Sequence, residues 1–210
     1  MRKLLALLLV LATCISLFGC GAAKPEETTT PATEATMAQT TATTEDIVIL
    51  YTNDVHTYID GVLSYDVIAG VKTTLQGEYN YVLLVDAGDH IQGTAYGSMD
   101  KGETIIKLMN AAGYDVATLG NHEFDFGFDQ LMENLADAKF QTICCNVYLD
   151  KTGETILPPS TVIETSTGLK LGFVGVETPQ TATKVNPGLI TDISFATFAK
   201  MYDAVQNTVD

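Results

Sequence analysis

Short apolar runs alternate with segments of helical periodicity over residues 46–150. Three β-branched runs that end in turn-forming residues predict buried strands, namely "DIVILYTND" (46–54), "YVLLVDAGD" (81–89) and "YDVATLG" (114–120). The run "QTICCNVYL" (141–149) predicts a fourth strand. Apolar residues at helical spacing predict helices within residues 65–79, 102–113 and 128–139. Repeated strand, helix, strand order indicates an α/β fold with parallel strands and right-handed crossovers.

The pattern changes after Lys151. Residues 161–177, "TVIETSTGLKLGFVGVE", predict a β-hairpin that turns at Ser166–Gly168. Residues 195–209, "FATFAKMYDAVQNTV", have the apolar spacing of a helix. We therefore expect antiparallel pairing and one further helix in this part of the chain.

Residues 1–20 have the pattern of an export signal. Arg2 and Lys3 precede an uncharged apolar run from Leu4 to Phe18, and such a run is shorter than the roughly 20 apolar residues of a permanent membrane span. The sequence "LFGC" resembles a bacterial lipoprotein signal, which implies lipid on Cys20 and anchoring at the outer side of the cytoplasmic membrane. An ordinary secretory signal, and so a secreted protein, is the alternative.

Residues 21–45 are rich in Thr, Ala, Glu and Pro and have no apolar periodicity. A segment of this composition buries too little apolar surface to order itself, so we expect a disordered tether that joins the membrane to the domain. Residues 46–210 remain for the folded domain.

The net charge limits the possible partners, and the cysteine content limits the possible disulfides. The formal net charge is −15, and a surface this acidic repels polynucleotides, so no polynucleotide partner is expected. A small anionic substrate requires a local cation that reverses the field. Outside the signal the only cysteines are Cys144 and Cys145, which point to opposite faces of a strand and are expected to be buried and unpaired.

Polar clusters follow the first three predicted strands. Asp54 and His56 follow the first, Asp89 follows the second, and Asn121 and His122 follow the third. Because the carboxyl ends of parallel strands meet at one edge of a sheet, we expect these side chains to converge. Each residue alone has a structural explanation as a cap, a turn residue or a surface histidine. Together, their oxygen and imidazole donors suit Mn, Zn, Fe or Mg ions.

The motifs resemble those of a known family. "TNDVH", "GDHIQGT" and "GNHEFDFG", followed by "GVETPQTATKVNP", are similar to the 5′-nucleotidase branch of the calcineurin-like metallophosphoesterases over about residues 47–187. The resemblance implies an α/β fold in which two mixed β-sheets pack together and are flanked by helices. It also implies that residues 46–210 are a partial catalytic domain, incomplete at its C-terminus.

The resemblance also assigns roles to the candidate residues. Asp54 and His56 would bind a first divalent ion, Asp89 would bridge two ions, and Asn121 would bind the second. His122 would contact the phosphate, and Asp125 would fix the orientation of its ring. Glu123 is the second choice for that orienting role, and His90 is expected at the rim of the site or just behind it.

The implied activity is hydrolysis of nucleotides, of the 5′-nucleotidase type or the 2′,3′-cyclic-nucleotide phosphodiesterase and 3′-nucleotidase type. The family takes further histidine ligands and a nucleoside-selecting C-terminal domain from later sequence, and no histidine follows His122 here. We therefore expect the 210-residue chain to be inactive by itself. The alternative is a catalytically silent surface lipoprotein that binds phosphate esters or a partner.

Overall fold

The computed structural model describes residues 46–210; the predicted signal and tether lie outside the described residues. The described chain has the expected α/β class, with strands and helices in alternation up to residue 142. The strands are β1 (Ile47–Thr52), β2 (Tyr81–Asp86), β3 (Val116–Ala117), β4 (Gln141–Thr142), β5 (Val147–Leu149), β6 (Ser160–Glu164), β7 (Lys170–Val174) and β8 (Ile193–Phe195). The α-helices are α1 (Tyr65–Gln76), α2 (Ala95–Met99), α3 (Glu103–Ala112), α4 (Phe128–Ala136), α5 (Thr181–Lys184) and α6 (Phe198–Val209).

A four-stranded parallel sheet, in the order β1-β2-β3-β4, positions the candidate site. Thr52 pairs with Asp86, and Asp86 pairs with Ala117, so the carboxyl ends of the first three strands lie side by side. The polar clusters predicted from the sequence all follow these ends. Within residues 46–210, β1 forms one edge of this sheet and pairs only with β2.

Two antiparallel pairs complete the described sheets. β6 and β7 form the predicted hairpin, with Glu164 opposite Lys170 beside the turn. β5 pairs with β8, which the sequence did not predict. The prediction of one strand over residues 141–149 is wrong, because β4 and β5 belong to different sheets. Between them, Cys144 N–H donates to Pro158 O and Cys145 N–H donates to Gly175 O, which turns the chain away from the parallel sheet.

Two hydrophobic clusters hold these elements together. The first joins α1 and α3 to the parallel sheet and includes Leu84, Ile105 and Met109, which are fully buried. The second lies around α4 and β5 and includes Phe124 and Leu131. Full burial of such a side chain contributes roughly 1.5–3 kcal/mol. The apolar faces of α1, α3 and α4 therefore pack into the core, whereas α6 contributes no buried residue.

Other expectations concern single residues. Gly113 follows α3 in a left-handed conformation with a φ of 77°, as expected of a glycine just past the end of a helix. Cys144 and Cys145 are buried free thiols, which confirms that they do not pair.

Every helix within residues 46–210 is too short or too polar to cross a lipid bilayer.

Candidate functional site

The loops after β1, β2 and β3 bring His56, Asp89 and His122 together. Ligand atoms of these three side chains lie within 4.8 Å of one another. The rings of His56 and His122 meet edge to face, with centroids 4.9 Å apart. Asp54 joins the group through its Oδ1, which lies 3.3 Å from His56 Nε2. The structure therefore brings together four of the five side chains expected at the three strand ends.

The loop after β1 adopts an unusual backbone. Asp54, His56 and Thr57 have positive φ angles of 54°, 47° and 58°, which are uncommon for residues other than glycine. Extended strand direction therefore does not persist to His56. Instead, Asp54 N–H donates to Gly88 O (3.1 Å) and His56 N–H donates to Asp89 O (3.0 Å).

The hydrogen bond of His56 defines which ring nitrogen faces the site. His56 Nδ1 lies 3.0 Å from the carbonyl oxygen of Gln92. Because a carbonyl oxygen only accepts, Nδ1 carries the proton and donates to it. His56 Nε2 is then free to act as a ligand, and a carbonyl that holds the other nitrogen is the usual support of a metal-binding histidine.

His122 has its own carboxylate partner. His122 Nδ1 lies 2.6 Å from Asp125 Oδ2, and both side chains are about one-third exposed. His122 N–H donates to Asp89 Oδ1 at 2.9 Å. Asp125 is thus the residue that contacts this ring, with Nε2 left to face the site.

Glu123, the second choice as the partner of His122, has a different position. Its side chain is fully buried and accepts backbone N–H bonds from two loops. Oε2 accepts from Asp89 (2.8 Å) and Gly120 (2.6 Å), and Oε1 accepts from His90 (2.8 Å) and Ile91 (3.3 Å). Glu123 therefore ties the loop after β2 to the loop after β3.

His90 lies in this buried network, just behind the site and not at its rim, which is one of the two positions expected. Its ring is 1% exposed, with Nδ1 2.8 Å from Asp86 Oδ1 and 3.5 Å from Glu123 Oε1. Burial alone lowers the pKa of His90, but the carboxylates of Glu123 and Asp86 outweigh it and raise the pKa to about 9. His90 is thus a buried cation beneath the candidate site.

Two glycines permit the close approach of these loops. A Cβ added to Gly88 would lie 2.4 Å from Gly120 N, and one added to Gly120 would lie 2.3 Å from Asp89 Oδ1. Asn121 directly follows Gly120 and begins the 3₁₀ turn Asn121–Phe124. The half-buried Asn121 is therefore placed one residue from His122 on the same turn.

The donors fit a divalent cation. Burial raises the pKa of the Asp89 carboxyl, and the charge of Glu123 and a hydrogen bond with Asp54 act in the same direction. Two neighbouring carboxylates are disfavoured when both are ionised, unless a cation lies between them. Carboxylate and imidazole ligands suit Mn, Zn and Fe ions.

The sequence did not predict three contributions to this site: the Gln92 carbonyl, the buried Glu123, and a pair of hydroxyls on Thr57 and Thr94. Only Glu123 carried a signal, since a carboxylate inside "GNHEFDFG" was already a candidate. The Gln92 contact uses a backbone atom, which every residue type supplies.

Comparisons with known proteins agree with the geometry. Residues 47–178 match the family described as calcineurin-like phosphoesterase. The chain is 35% identical over 162 residues to snake venom 5′-nucleotidase of Gloydius brevicauda, covering 68% of this chain and 27% of that protein. It is 31% identical over 176 residues to protein UshA of Escherichia coli, covering 80% of this chain and 32% of that protein.

Solved structures show the same similarity. The calcineurin-like phosphoesterase YfkN from Bacillus subtilis superposes with a TM-score of 0.65 at 26% identity, covering 78% of this chain and 57% of that chain. The chain spans only about a third of the length of the two curated relatives. The family match extends from β1 through the loop after β7 and includes every candidate metal and phosphate residue. The chain belongs to the calcineurin-like phosphoesterase family, whose members are metal-dependent hydrolases, and it has homologues among the 5′-nucleotidases.

Proposed function

We propose that residues 46–210 form part of an exported two-metal phosphoesterase that hydrolyses nucleotides. The observation that carries the proposal is the convergence of His56, Asp89 and His122 at the carboxyl ends of three adjacent parallel strands. Similarity to proteins named 5′-nucleotidase supports nucleotides as substrates. The 2′,3′-cyclic-nucleotide phosphodiesterase and 3′-nucleotidase type is the other substrate class within the proposal.

Four residues are proposed as metal ligands. Asp54 and His56 bind the first ion, Asp89 bridges both ions, and Asn121 binds the second. Divalent ions bound there would lower the pKa of a shared water and offset charge on the phosphoryl group. The described residues supply few donors for the second ion, so polypeptide outside residues 46–210 is proposed to complete it.

His122 is proposed to contact the phosphoryl group. The contact with Asp125 fixes the tautomer and directs Nε2 of His122 into the site. When the ring is doubly protonated, Nε2–H donates to a phosphoryl oxygen on which charge develops. The ring also lies close enough to His56 and Asp89 to act as a ligand, so metal content must be measured together with turnover.

The test is to compare His56→Ala and His122→Ala in the complete natural protein that contains this sequence. His56→Ala should lower bound Mn²⁺ as well as activity. His122→Ala should keep its Mn²⁺ and lower kcat on AMP by about 100-fold or more. Asp129→Asn, an exposed acid at the start of α4, is the control and should keep both. Wild-type turnover in His122→Ala would contradict the proposed role, and loss of Mn²⁺ would instead assign His122 as a ligand.

The same preparations separate the substrate classes. AMP, 3′-AMP and 2′,3′-cyclic AMP are assayed side by side, and the highest kcat/KM identifies the type. Saturable binding of AMP without turnover in the wild-type protein would instead support the silent, ligand-binding alternative.

Export and lipid anchoring at Cys20 are also proposed. Both depend on residues outside the described range, where the basic, apolar and cysteine pattern of residues 1–20 is the supporting observation. Cys20→Ala should abolish incorporation of labelled fatty acid, whereas Cys14→Ala should not. Equal labelling of the two variants would contradict lipidation at Cys20.

A further inference from the structure

Thr57 has a conformation that its residue type strongly disfavours. It follows His56, is completely buried and has a φ of 58°. A β-branched residue in the left-handed region is a genuine outlier, because its branched side chain crowds the backbone. Such a conformation persists only where surrounding contacts hold it.

Thr94 provides those contacts through a closed set of hydrogen bonds. Thr94 N–H donates to Thr57 Oγ1 (2.6 Å), and Thr94 Oγ1 donates to Thr57 O (3.0 Å). The two hydroxyl oxygens are 2.7 Å apart. Since the Thr94 proton is used on the carbonyl, the Thr57 hydroxyl donates to Thr94 Oγ1. Each hydroxyl therefore donates once and accepts once, and both are satisfied.

The segment around Thr94 also leaves the loop no room to shift. A Cβ added to Gly97 would lie 2.3 Å from Thr57 Cγ2, and one added to Gly93 would lie 2.2 Å from His56 O. The Thr57 methyl thus packs against Gly97, and the His56 backbone packs against Gly93. The same segment supplies Gln92 O to the ring of His56.

We propose that Thr57 is a positioning residue for His56, which it holds through the hydroxyl pair with Thr94. The pair keeps the loop after β1 in the left-handed conformation in which His56 Nδ1 donates to Gln92 O and Nε2 faces Asp54 and Asp89. This inference rests on the proposed function in so far as His56 is a metal ligand. It adds a residue whose own side chain does not reach the site.

The test measures Mn²⁺ affinity of the 210-residue chain by calorimetry, below the thermal midpoint of each variant. Thr57→Val and Thr94→Val remove one hydroxyl each and should weaken binding about tenfold, the lower end of the effect of supporting residues at metal sites. The double variant should be no weaker than either single variant, because both break the same pair. Thr57→Ser keeps the hydroxyl and should restore most of the affinity.

Thr165→Val is the matched control. Thr165 is also buried, and its hydroxyl contacts the Thr167 hydroxyl (2.9 Å) and accepts from Leu169 N–H (3.2 Å) in the β6–β7 turn. It should lower the thermal midpoint without changing the Mn²⁺ affinity. An equal loss of affinity in Thr165→Val would reduce the Thr57 effect to general destabilisation and overturn the inference.

A second measurement needs no metal. Nitrogen-15 spectra of the His56 ring should show the Nδ1–H tautomer in the wild-type chain and in Thr57→Ser, but a mixture of both tautomers in Thr57→Val. Wild-type affinity and an unchanged tautomer in Thr57→Val would overturn the inference. If His56→Ala binds Mn²⁺ as well as the wild type, the proposed ligand role of His56 fails, and the tautomer result alone decides the role of Thr57.

Discussion

The loops after β2 and β3 rest on a buried polar network, whereas the loop after β1 lies at an exposed edge of the sheet. The side chains of Asp86 and Glu123 are 0% exposed and that of His90 is 1% exposed, while the side chain of Asp54 is 53% exposed. Glu123 accepts four backbone N–H bonds from its two loops. The loop after β1 has no such carboxylate beneath it among the described residues, and Thr94 holds it instead.

The surroundings of β1 extend this contrast. Tyr51 on β1 is 76% exposed, and Leu63 in the following loop is 71% exposed. A groove of about 830 Å³ runs along this edge from Leu63 to Asp54. Within residues 46–210, the same parallel sheet thus has a packed interior at β2 and an unpaired, partly apolar edge at β1. One half of the site is fixed by burial, and the other half depends on local hydrogen bonds and a strained backbone.

The largest effect is expected from Glu123→Gln. The amide nitrogen of Gln cannot accept the two N–H bonds that one carboxylate oxygen of Glu123 accepts. The substitution also removes one of the two buried carboxylates that face the positively charged His90. Breaking a buried charge network of this kind destabilises by about 3–5 kcal/mol, measured as the free energy of unfolding in urea. Asp125→Asn, a carboxylate two residues away and part-exposed, is the control and should lose about 1 kcal/mol or less. Equal losses of unfolding free energy in the two variants would show that the buried network does not stabilise the loops after β2 and β3.

A pH-dependent effect is expected from Glu177, whose side chain is also buried near Glu123 and Asp89. Burial raises its pKa to about 8. Above the ordinary value of 4.5 the unfolded chain releases this proton while the folded chain keeps it. Stability therefore falls as pH rises and levels off above about 8. From about pH 6 to about pH 7.5 this contribution amounts to roughly 2 kcal/mol.

The side chain in Glu177→Gln cannot titrate, so the variant should lose this part of the fall in the free energy of unfolding with pH. Near pH 4.5 the variant should be as stable as the wild type. His90 contributes in the same direction, since stability from its raised pKa is lost as pH rises through about 9, but that part is common to both proteins. Urea unfolding of wild type and variant across this range isolates Glu177. If the free energies of unfolding of the two proteins changed with pH in parallel, this result would contradict a protonated Glu177 in the folded chain.

The smallest effect is expected at the open edge. Tyr51→Ser should change the free energy of unfolding by less than about 0.5 kcal/mol, as exposed positions do. Leu84→Ala on the neighbouring β2 is fully buried and should lose about 2–5 kcal/mol. A large loss in Tyr51→Ser would mean that β1 is packed in solution, against a second copy or another segment.

The positions of β1, β2 and β3 and the polar residues that follow them were predictable from the sequence, because residue pattern and sheet topology determine them together. Parallel pairing aligns the ends of β1, β2 and β3, so residues that follow each end had to lie near one another. Gly88 and Gly120 follow two of these ends, where a side chain on Gly88 would meet the backbone at Gly120 and one on Gly120 would meet the Asp89 carboxylate.

Long-range contacts determine the features that the sequence did not predict. The run over residues 141–149 has the composition of one strand, and only the bonds to Pro158 and Gly175 divide it between two sheets. Nothing in the residue type of Thr57 favours a positive φ, so that angle follows from Thr94. The sequence of a turn does not indicate in which direction its carboxylate points. Glu123 points inward because four backbone N–H groups converge on its carboxylate in the interior.

The metal site is tested most directly by anomalous scattering from crystals of this chain grown with Zn²⁺. We expect a zinc peak within about 2.2 Å of His56 Nε2 and of a carboxylate oxygen of Asp89, with Asp54 on the same ion. Zinc bound elsewhere while these side chains stay unliganded at saturating Zn²⁺ would contradict it.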